Sequence, residues 1–189
     1  MSSKIIATLF AGIVVSVAGV SVAVAAPMHE KTVQVGGAPM YPSKNIIQNA
    51  VNSKDHTTLV AAVKAAGLVD TLSGPGPFTV FAPTNAAFAK LPAGTVDTLV
   101  KPENKATLTK ILTYHVVSGR LSAADLMAQV KAGHGKATLK TVQGEDLTVT
   151  TKAGHVILTD AKGGTSKVTI ANVNQSNGVI HVVDTVLMP

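Results

Sequence analysis

The apolar and polar positions divide this chain into a helical first half and a strand-rich second half. After Asp55, Leu59, Val63 and Ala66 recur at the three-to-four-residue spacing of one helical face. Gly67 follows directly, and glycine readily takes the left-handed conformation that ends many helices. The pattern therefore predicts a helix that ends at Gly67.

Three further stretches of the first half have the pattern of helices. A short helix is expected between positions 45 and 52, and a longer one over 103–113, where the apolar residues share one face. Ser122 followed by Asp125 is an acidic form of the capping box, which places a helix N-terminus there. We expect this last helix to stop near Gly133.

The pattern changes to short strands from Lys136 onward. Apolar residues alternate with other residues, and glycine-containing turns separate the segments. The alternating pairs are Leu147 and Val149, Val156 and Leu158, and Val168 and Ile170. Strands at Phe78 and Val116 are expected to join the same sheet. The sequence thus predicts one α+β domain, with first-half helices packed on a mixed β-sheet wedge formed mainly by the second half.

The segment 76–92 is an apolar strand that turns directly into a helix. Phe78 lies on one face of the strand and Phe81 on the other, so we expect burial on both sides. Pro83 cannot donate to a ladder and ends the pairing. Thr84 then stands at the N-cap position of the following helix.

Two other segments combine polar side chains with apolar surroundings. The segment 111–121 contains Tyr114 and His115 at the junction between a predicted helix and a predicted strand. The segment 177–189 opens with Asn177 and carries His181 inside an apolar strand.

These three segments, in this order, resemble the signature motifs of the fasciclin-like family over residues 44–189. The resemblance implies a compact module of extracytoplasmic adhesion and interaction proteins. In animal members the Tyr-His segment is implicated in integrin contact, which makes Tyr114 and His115 candidate contact residues here. No Arg-Gly-Asp sequence accompanies them.

The N-terminus has the pattern of a secretory signal. Lys4 precedes an apolar run over 5–24, and Ala-Val-Ala at 23–25 offers a small-residue cleavage site. We expect a signal peptide over 1–25 and a periplasmic or secreted protein without a transmembrane segment after cleavage. An uncleaved membrane anchor is the alternative. Residues 26–43 are expected to form an extended lead-in.

The amino-acid composition indicates which classes of macromolecule this chain could bind. The net charge is +6, but the lysines are spread without a run, and aromatic residues are only 3% of the chain. Nucleic-acid surfaces need basic stripes with stacking aromatics, so no nucleic-acid partner is expected. The charge favours an ordinary solvated basic surface, and it is also compatible with contact to an acidic polysaccharide or an anionic membrane.

The sequence offers no pattern of a catalytic or metal site. There is no cysteine, and the six histidines lack metal-ligand spacings. No Gly-x-Ser-x-Gly sequence is present. His181 and Asp184 are three residues apart in a strand, so they face opposite sides. We therefore expect no metal, no cofactor and no catalytic residue.

Five polar residues are candidates for either interaction or structure besides Tyr114. His115 is expected to be part-buried and to link helix to sheet, with a hydrogen bond from Thr84. Asn177 is expected in the turn into the last strand. The remaining candidates are Asn85 and His181.

The sequence favours an exported, non-enzymatic adhesion or binding module for a cell-surface, extracellular-matrix or protein partner, or for a polysaccharide. One alternative is a periplasmic carrier of a small apolar or polysaccharide ligand, which requires a concave pocket. The other is a hydrolase, which requires a nucleophile within reach of a base.

Overall fold

The computed structural model describes residues 31–189, which form helices, a small hairpin and a seven-stranded sheet. The expected signal peptide and residues 26–30 of the expected lead-in lie outside the described residues. The helices are α1 (Ile46–Ala50), α2 (Thr57–Ala66), α3 (Val69–Ser73), α4 (Asn85–Ala89), α5 (Thr95–Leu99), α6 (Lys105–Tyr114) and α7 (Ala123–Ala132). The strands are β1 (Val33–Val35), β2 (Ala38–Met40), β3 (Phe78–Pro83), β4 (Val116–Ser118), β5 (Lys136–Lys140), β6 (Asp146–Lys152), β7 (His155–Thr159), β8 (Thr165–Gln175) and β9 (Gly178–Val183).

The large sheet is mixed and curls toward closure. Its strand order is β4-β3-β9-β8-β7-β6-β5, in which β3 and β9 are parallel and all other neighbours are antiparallel. The two edges meet where Val117 bridges Thr141 and where the Val142 amide donates to the Val116 carbonyl at 2.7 Å. This confirms the expected α+β wedge with helices early and the sheet mainly late.

The curled sheet separates two hydrophobic cores. The first core lies between the helices and the outer side of β3, β4 and β9, where Val80 and Ile180 are buried. The second core fills the inside of the curl and includes Phe81, Val149 and Leu126 of α7. Alternate residues of β3 therefore face different cores, as the sequence of this strand predicts.

The helix ends follow from short-range chemistry. At the end of α2, Gly67 adopts φ 72°, and the Leu68 amide donates to the Val63 carbonyl at 3.0 Å. At the start of α7, the Ser122 hydroxyl accepts from the Asp125 amide, and the Asp125 carboxylate accepts from the Ser122 amide. Both predicted helix ends are confirmed.

Residues 33–40 form a packed hairpin, which corrects the expectation of an extended lead-in for this part of 26–43. Strands β1 and β2 pair antiparallel, and both Val35 and Met40 are buried in the first core. The Gly36 carbonyl accepts from the Lys54 amide at 3.2 Å, which fixes the hairpin turn against the start of α2. The hairpin covers one end of the first core.

We predict that Met40→Ala lowers the free energy of unfolding by about 2 to 5 kcal/mol, because truncation of this buried side chain leaves a cavity in the first core. Urea denaturation measures this loss. Met127, which is 39% exposed on α7, supplies the matched control, and Met127→Ala should change the free energy by no more than about 0.5 kcal/mol. Equal effects of the two substitutions would show that the hairpin is not part of the core.

Candidate functional site

Tyr114 ends α6 with its side chain fully buried in the second core. Its hydroxyl donates to the Asp146 carbonyl at 3.0 Å and accepts from the Ala161 amide at 3.1 Å. Burial raises the pKa of the Tyr114 hydroxyl. The phenol therefore links α6 to the start of β6 and to the turn after β7, and it presents no surface to a partner.

His115 is buried and uses both ring nitrogens. Nδ1 lies 2.8 Å from the Ile111 carbonyl, and Nε2 lies 3.0 Å from the Leu187 amide. Since a carbonyl only accepts and an amide only donates, the proton is assigned to Nδ1 and the imidazole is neutral. Burial lowers the pKa of His115 to about 4. The ring links α6 to the chain segment that follows β9.

The expected hydrogen bond between Thr84 and His115 is wrong. The Thr84 hydroxyl caps α4 by accepting from the Ala87 amide at 3.2 Å, and the His115 nitrogens have the partners just described. The His115 carbonyl accepts from the Phe81 amide, so Thr84 lies three strand residues farther on, roughly 10 Å away. Both residues lie between a helix and a strand, but at different heights along the strands of the sheet.

Asn85 links α4 to the start of α2. Its Oδ1 accepts from the Thr58 amide at 3.0 Å and from the Thr57 hydroxyl at 3.2 Å. Its Nδ2 donates to the Lys54 carbonyl at 2.8 Å. The side-chain amide is thus occupied by neighbours within the fold.

Asn177 joins three segments in front of β9. Its Nδ2 donates to the Leu72 and Gly74 carbonyls at 2.8 and 2.9 Å, and its Oδ1 accepts from the Ile46 amide at 3.1 Å. The backbone carbonyl also accepts from the Phe78 amide. Although Asn177 borders an open groove of about 500 Å³, its side-chain amide bonds to α1 and α3.

His181 is fully buried on β9. Its Nε2 donates to the Leu121 carbonyl at 2.8 Å, and its ring stacks on Phe81 with centroids 5.6 Å apart. Burial lowers its pKa. Asp184 lies beyond the strand and accepts from the Lys167 amide at 2.9 Å. The two residues therefore have separate partners and form no dyad.

A Ser-His pair that the sequence analysis missed lies beside the hairpin. The Ser53 hydroxyl is 2.9 Å from Nδ1 of His56, and both side chains are buried. Within the described chain, Nε2 of His56 has no hydrogen-bond partner. Burial lowers the pKa of His56, which the nearby Ala82 backbone offsets only in part. The Ser-x-x-His spacing at the start of α2 was the available signal.

The pair borders an apolar cavity of about 50 Å³ between the hairpin, α1, α2 and the sheet. No carboxylate hydrogen-bonds to either ring nitrogen of His56 among residues 31–189. The backbone of Gly36 packs so closely on Ser53 that a side chain at Gly36 would collide with the hydroxyl. Nucleophile and base are therefore adjacent, but the hairpin covers the hydroxyl.

The described residues contain neither a metal-binding cluster nor a membrane-spanning helix. No group of three or more His, Cys, Asp or Glu side chains in 31–189 is arranged to hold a metal ion. None of the helices in that part of the chain has both the length and the apolar character needed to cross a membrane.

We predict that His115→Ala lowers the free energy of unfolding by about 1 to 3 kcal/mol, because it leaves the buried Leu187 amide and Ile111 carbonyl without partners. Urea denaturation at pH 7 measures the change. His155→Ala, at an exposed histidine on β7, is the control and should unfold like the parent. A parent-like midpoint for His115→Ala would contradict the structural role.

We also predict that stability falls as the pH falls from about 6.5 to 4. In this window the unfolded chain protonates position 115 while the folded chain keeps the neutral ring, so protons favour unfolding. A pKa that falls from 6.5 in the unfolded chain to about 4 in the folded chain means that neutral His115 contributes roughly 3 kcal/mol to the free energy of unfolding. This contribution is fully lost only below pH 4. His56 and His181 act in the same direction.

Denaturation at pH 7, 5.5 and 4 for the parent and His115→Ala tests this linkage. The variant should show the shallower pH dependence. The same slope in both proteins would contradict a buried neutral His115.

Comparison with known proteins agrees with this architecture. The family model of the fasciclin domain matches residues 54–189. Protein sll1483 of Synechocystis sp. is 49% identical over 160 residues, which are 85% of this chain and 82% of that protein. Immunogenic protein MPB70 of Mycobacterium bovis is 41% identical over 145 residues, 74% of this chain and 66% of that protein.

Two further matches concern a cell surface glycolipoprotein and a cell adhesion molecule. Cell surface glycolipoprotein MPB83 of Mycobacterium bovis is 39% identical over 145 residues, 74% of this chain and 58% of that protein. A solved fasciclin domain pair from the insect cell adhesion molecule Fasciclin I superposes with a TM-score of 0.69 at 18% identity, covering 85% of this chain and 59% of that one. This last likeness concerns the fold alone. With its three motifs, its two-core fold and the match over residues 54–189, this chain belongs to the fasciclin domain family.

Proposed function

We propose that this protein is an exported, non-enzymatic module whose task is adhesion or binding to a surface, matrix or protein partner or to a polysaccharide. The observation that carries the proposal is the use of the motif side chains. The polar side-chain atoms of these residues form hydrogen bonds within the fold, as seen at Tyr114, His115 and Asn177. Such residues build a rigid scaffold, and contact with a partner is left to exposed faces outside the motifs.

Relatives and sequence support a location outside the cytoplasm. The relative MPB83 is a cell surface glycolipoprotein, and Fasciclin I, which shares the fold, is a cell adhesion molecule. The apolar run over 5–24 with its small-residue site supports export through a cleaved signal peptide over 1–25. We propose that the exported domain covers 44–189 and that the hairpin at 33–40 is packed on it.

The geometry favours binding over catalysis. Ser53 and His56 place a possible nucleophile beside a possible base, yet the hydroxyl is covered and no carboxylate among residues 31–189 orients the imidazole. His115 and His181 are neutral rings with both nitrogens engaged, so neither has a lone pair free to accept a proton.

The cavity size favours adhesion over the carrier alternative. Small-molecule sites typically have volumes of roughly 300 to 1,000 Å³. The apolar cavity beside His56 measures about 50 Å³. A carrier function would require the hairpin to move away from the first core before a ligand of ordinary size could enter.

Cell fractionation tests the proposal. The tagged protein should be found outside the cytoplasm with Ala26 as its first residue, and the purified chain should be retained by an envelope fraction on pull-down. A variant without residues 1–25 should stay in the cytoplasm. Recovery of the intact parent in the cytoplasm, together with no retention by envelopes, would overturn the proposed function.

A further inference from the structure

The outer side of the sheet is covered by helices over β3, β4 and β9 and by the first core over the end of β8, where Val173 is buried, but it is bare over β5 to β7 and the start of β8. On this bare part the apolar residues, such as Leu147, Val149 and Leu158, point into the second core. The alternate residues therefore point outward. They are polar almost throughout, so this bare surface is not an uncovered hydrophobic face.

Strand register aligns these outward residues into two rows. Thr138 pairs with Thr148, Thr148 with Thr159, and Thr159 with Thr165, which gives a row of four threonines across four strands. At the usual strand spacing this row is about 14 Å long. A neighbouring row consists of Lys136, Thr150, Ile157 and Lys167. Lys152 pairs with His155 at the next level.

We name the four threonines together with Lys136, Lys152 and Lys167 the outer β-face. None of the four threonine hydroxyls hydrogen-bonds to another group among residues 31–189, and none of the three lysines forms an ion pair there. All seven side chains are exposed or partly exposed. The face thus has hydroxyls and ammonium groups whose hydrogen-bonding capacity is available to a ligand.

The charge of the face is positive. At its far corner Asp146 is paired with Lys140 at 3.2 Å. Asp184, whose carboxylate accepts from the Lys167 backbone, lies 3.9 Å from Lys90 on the helical side. The segments 126–144 and 147–159 contain no acidic residue. Asp160 follows Thr159, and its carboxylate accepts from the Lys162, Gly164 and Met188 amides. The three lysines therefore act on a surface whose neighbouring carboxylates are hydrogen-bonded to backbone amides or paired with other lysines.

We propose that the outer β-face binds an acidic polysaccharide, a chain that combines hydroxyls with carboxylate or sulfate groups. Threonine hydroxyls both donate to and accept from sugar hydroxyls, while lysines pair with the acidic groups. The row across four strands offers a repeated set of contacts to a repeating polymer. This inference rests on the proposed binding function and specifies its partner and its surface.

The composition of the face disfavours other macromolecules. Single-stranded nucleic acids require stacking aromatics, and the outer β-face has none. Insertion into a lipid bilayer requires large apolar side chains, and Ile157 is the one large apolar residue in the two rows. Protein interfaces have aromatic or apolar centres, which this surface also lacks.

Calorimetry with polygalacturonate as the probe tests the proposal, with neutral dextran as the uncharged comparison. The full chain should bind polygalacturonate and not dextran, and binding should weaken as salt is added. Replacing the three lysines of the face, K136Q, K152Q and K167Q together, should weaken binding by about tenfold.

The matched control removes the same charge from the helical side, by K64Q, K101Q and K105Q together. These lysines are exposed and lie on or beside α2 and α6. The control variant has the same net charge as the variant of the face, and its affinity for polygalacturonate should stay close to that of the parent. Equal losses in the two triple variants would overturn the proposal, because net charge alone would then explain binding. Urea denaturation should give parent-like midpoints for both.

A second pair of substitutions tests the hydroxyls without changing charge. T148V and T159V together keep the β-branched shape and should weaken polygalacturonate binding by about fivefold. Unchanged affinity would contradict a role for the threonine row. Tighter binding to phosphatidylglycerol vesicles than to polygalacturonate would also overturn the proposal, in favour of a membrane surface.

The two proposals fail in different ways. If envelopes retain the lysine variant of the outer β-face as well as the parent, the adhesion function stands and this face is not its site. If the parent binds polygalacturonate but no envelope fraction, the polysaccharide site on the outer β-face is supported and the proposed adhesion function fails.

Discussion

The parallel pairing of β3 with β9 is the interaction on which the rest of the structure depends. It runs from Phe78 opposite Gly178 to Pro83 opposite Val183, and thereby joins the first signature motif to the last. Gly178 permits the close approach, since a side chain there would collide with the Phe78 backbone. Because both strands face a core on each side, this pair holds the two cores together.

The polar residues of the motifs serve this arrangement. His115 fixes the chain after β9 to α6, Asn177 fixes the start of β9 to α1 and α3, and His181 stacks on Phe81 of the neighbouring strand. Removing any one would leave buried backbone groups without partners, which is costly. The motifs therefore identify the fold with high specificity but carry little information about the partner. We propose that contact with the partner is made instead by exposed surfaces such as the outer β-face.

Features that depend on a few neighbouring residues could be predicted from the sequence, and features that depend on register could not. The capping box at Ser122 and the helix end at Gly67 are set within one turn. The hairpin at 33–40 was missed because strands of three residues show no clear alternation and are stabilised by packing on the first core. Strand pairing decides which helix-strand junctions lie next to one another, and the sequence does not reveal that pairing. The predicted hydrogen bond from Thr84 to His115 was therefore wrong. The threonine row could not be predicted for the same reason.

We propose that the signature motifs form the scaffold while the outer β-face contacts the partner. NMR can test this division by following the amide chemical shifts of isotope-labelled protein during titration with short polygalacturonate fragments. We expect the largest shift changes at Thr138, Thr148, Thr159 and Thr165 and no change at the amide of His115. Changes concentrated around His115, with the threonine row unaffected, would contradict it.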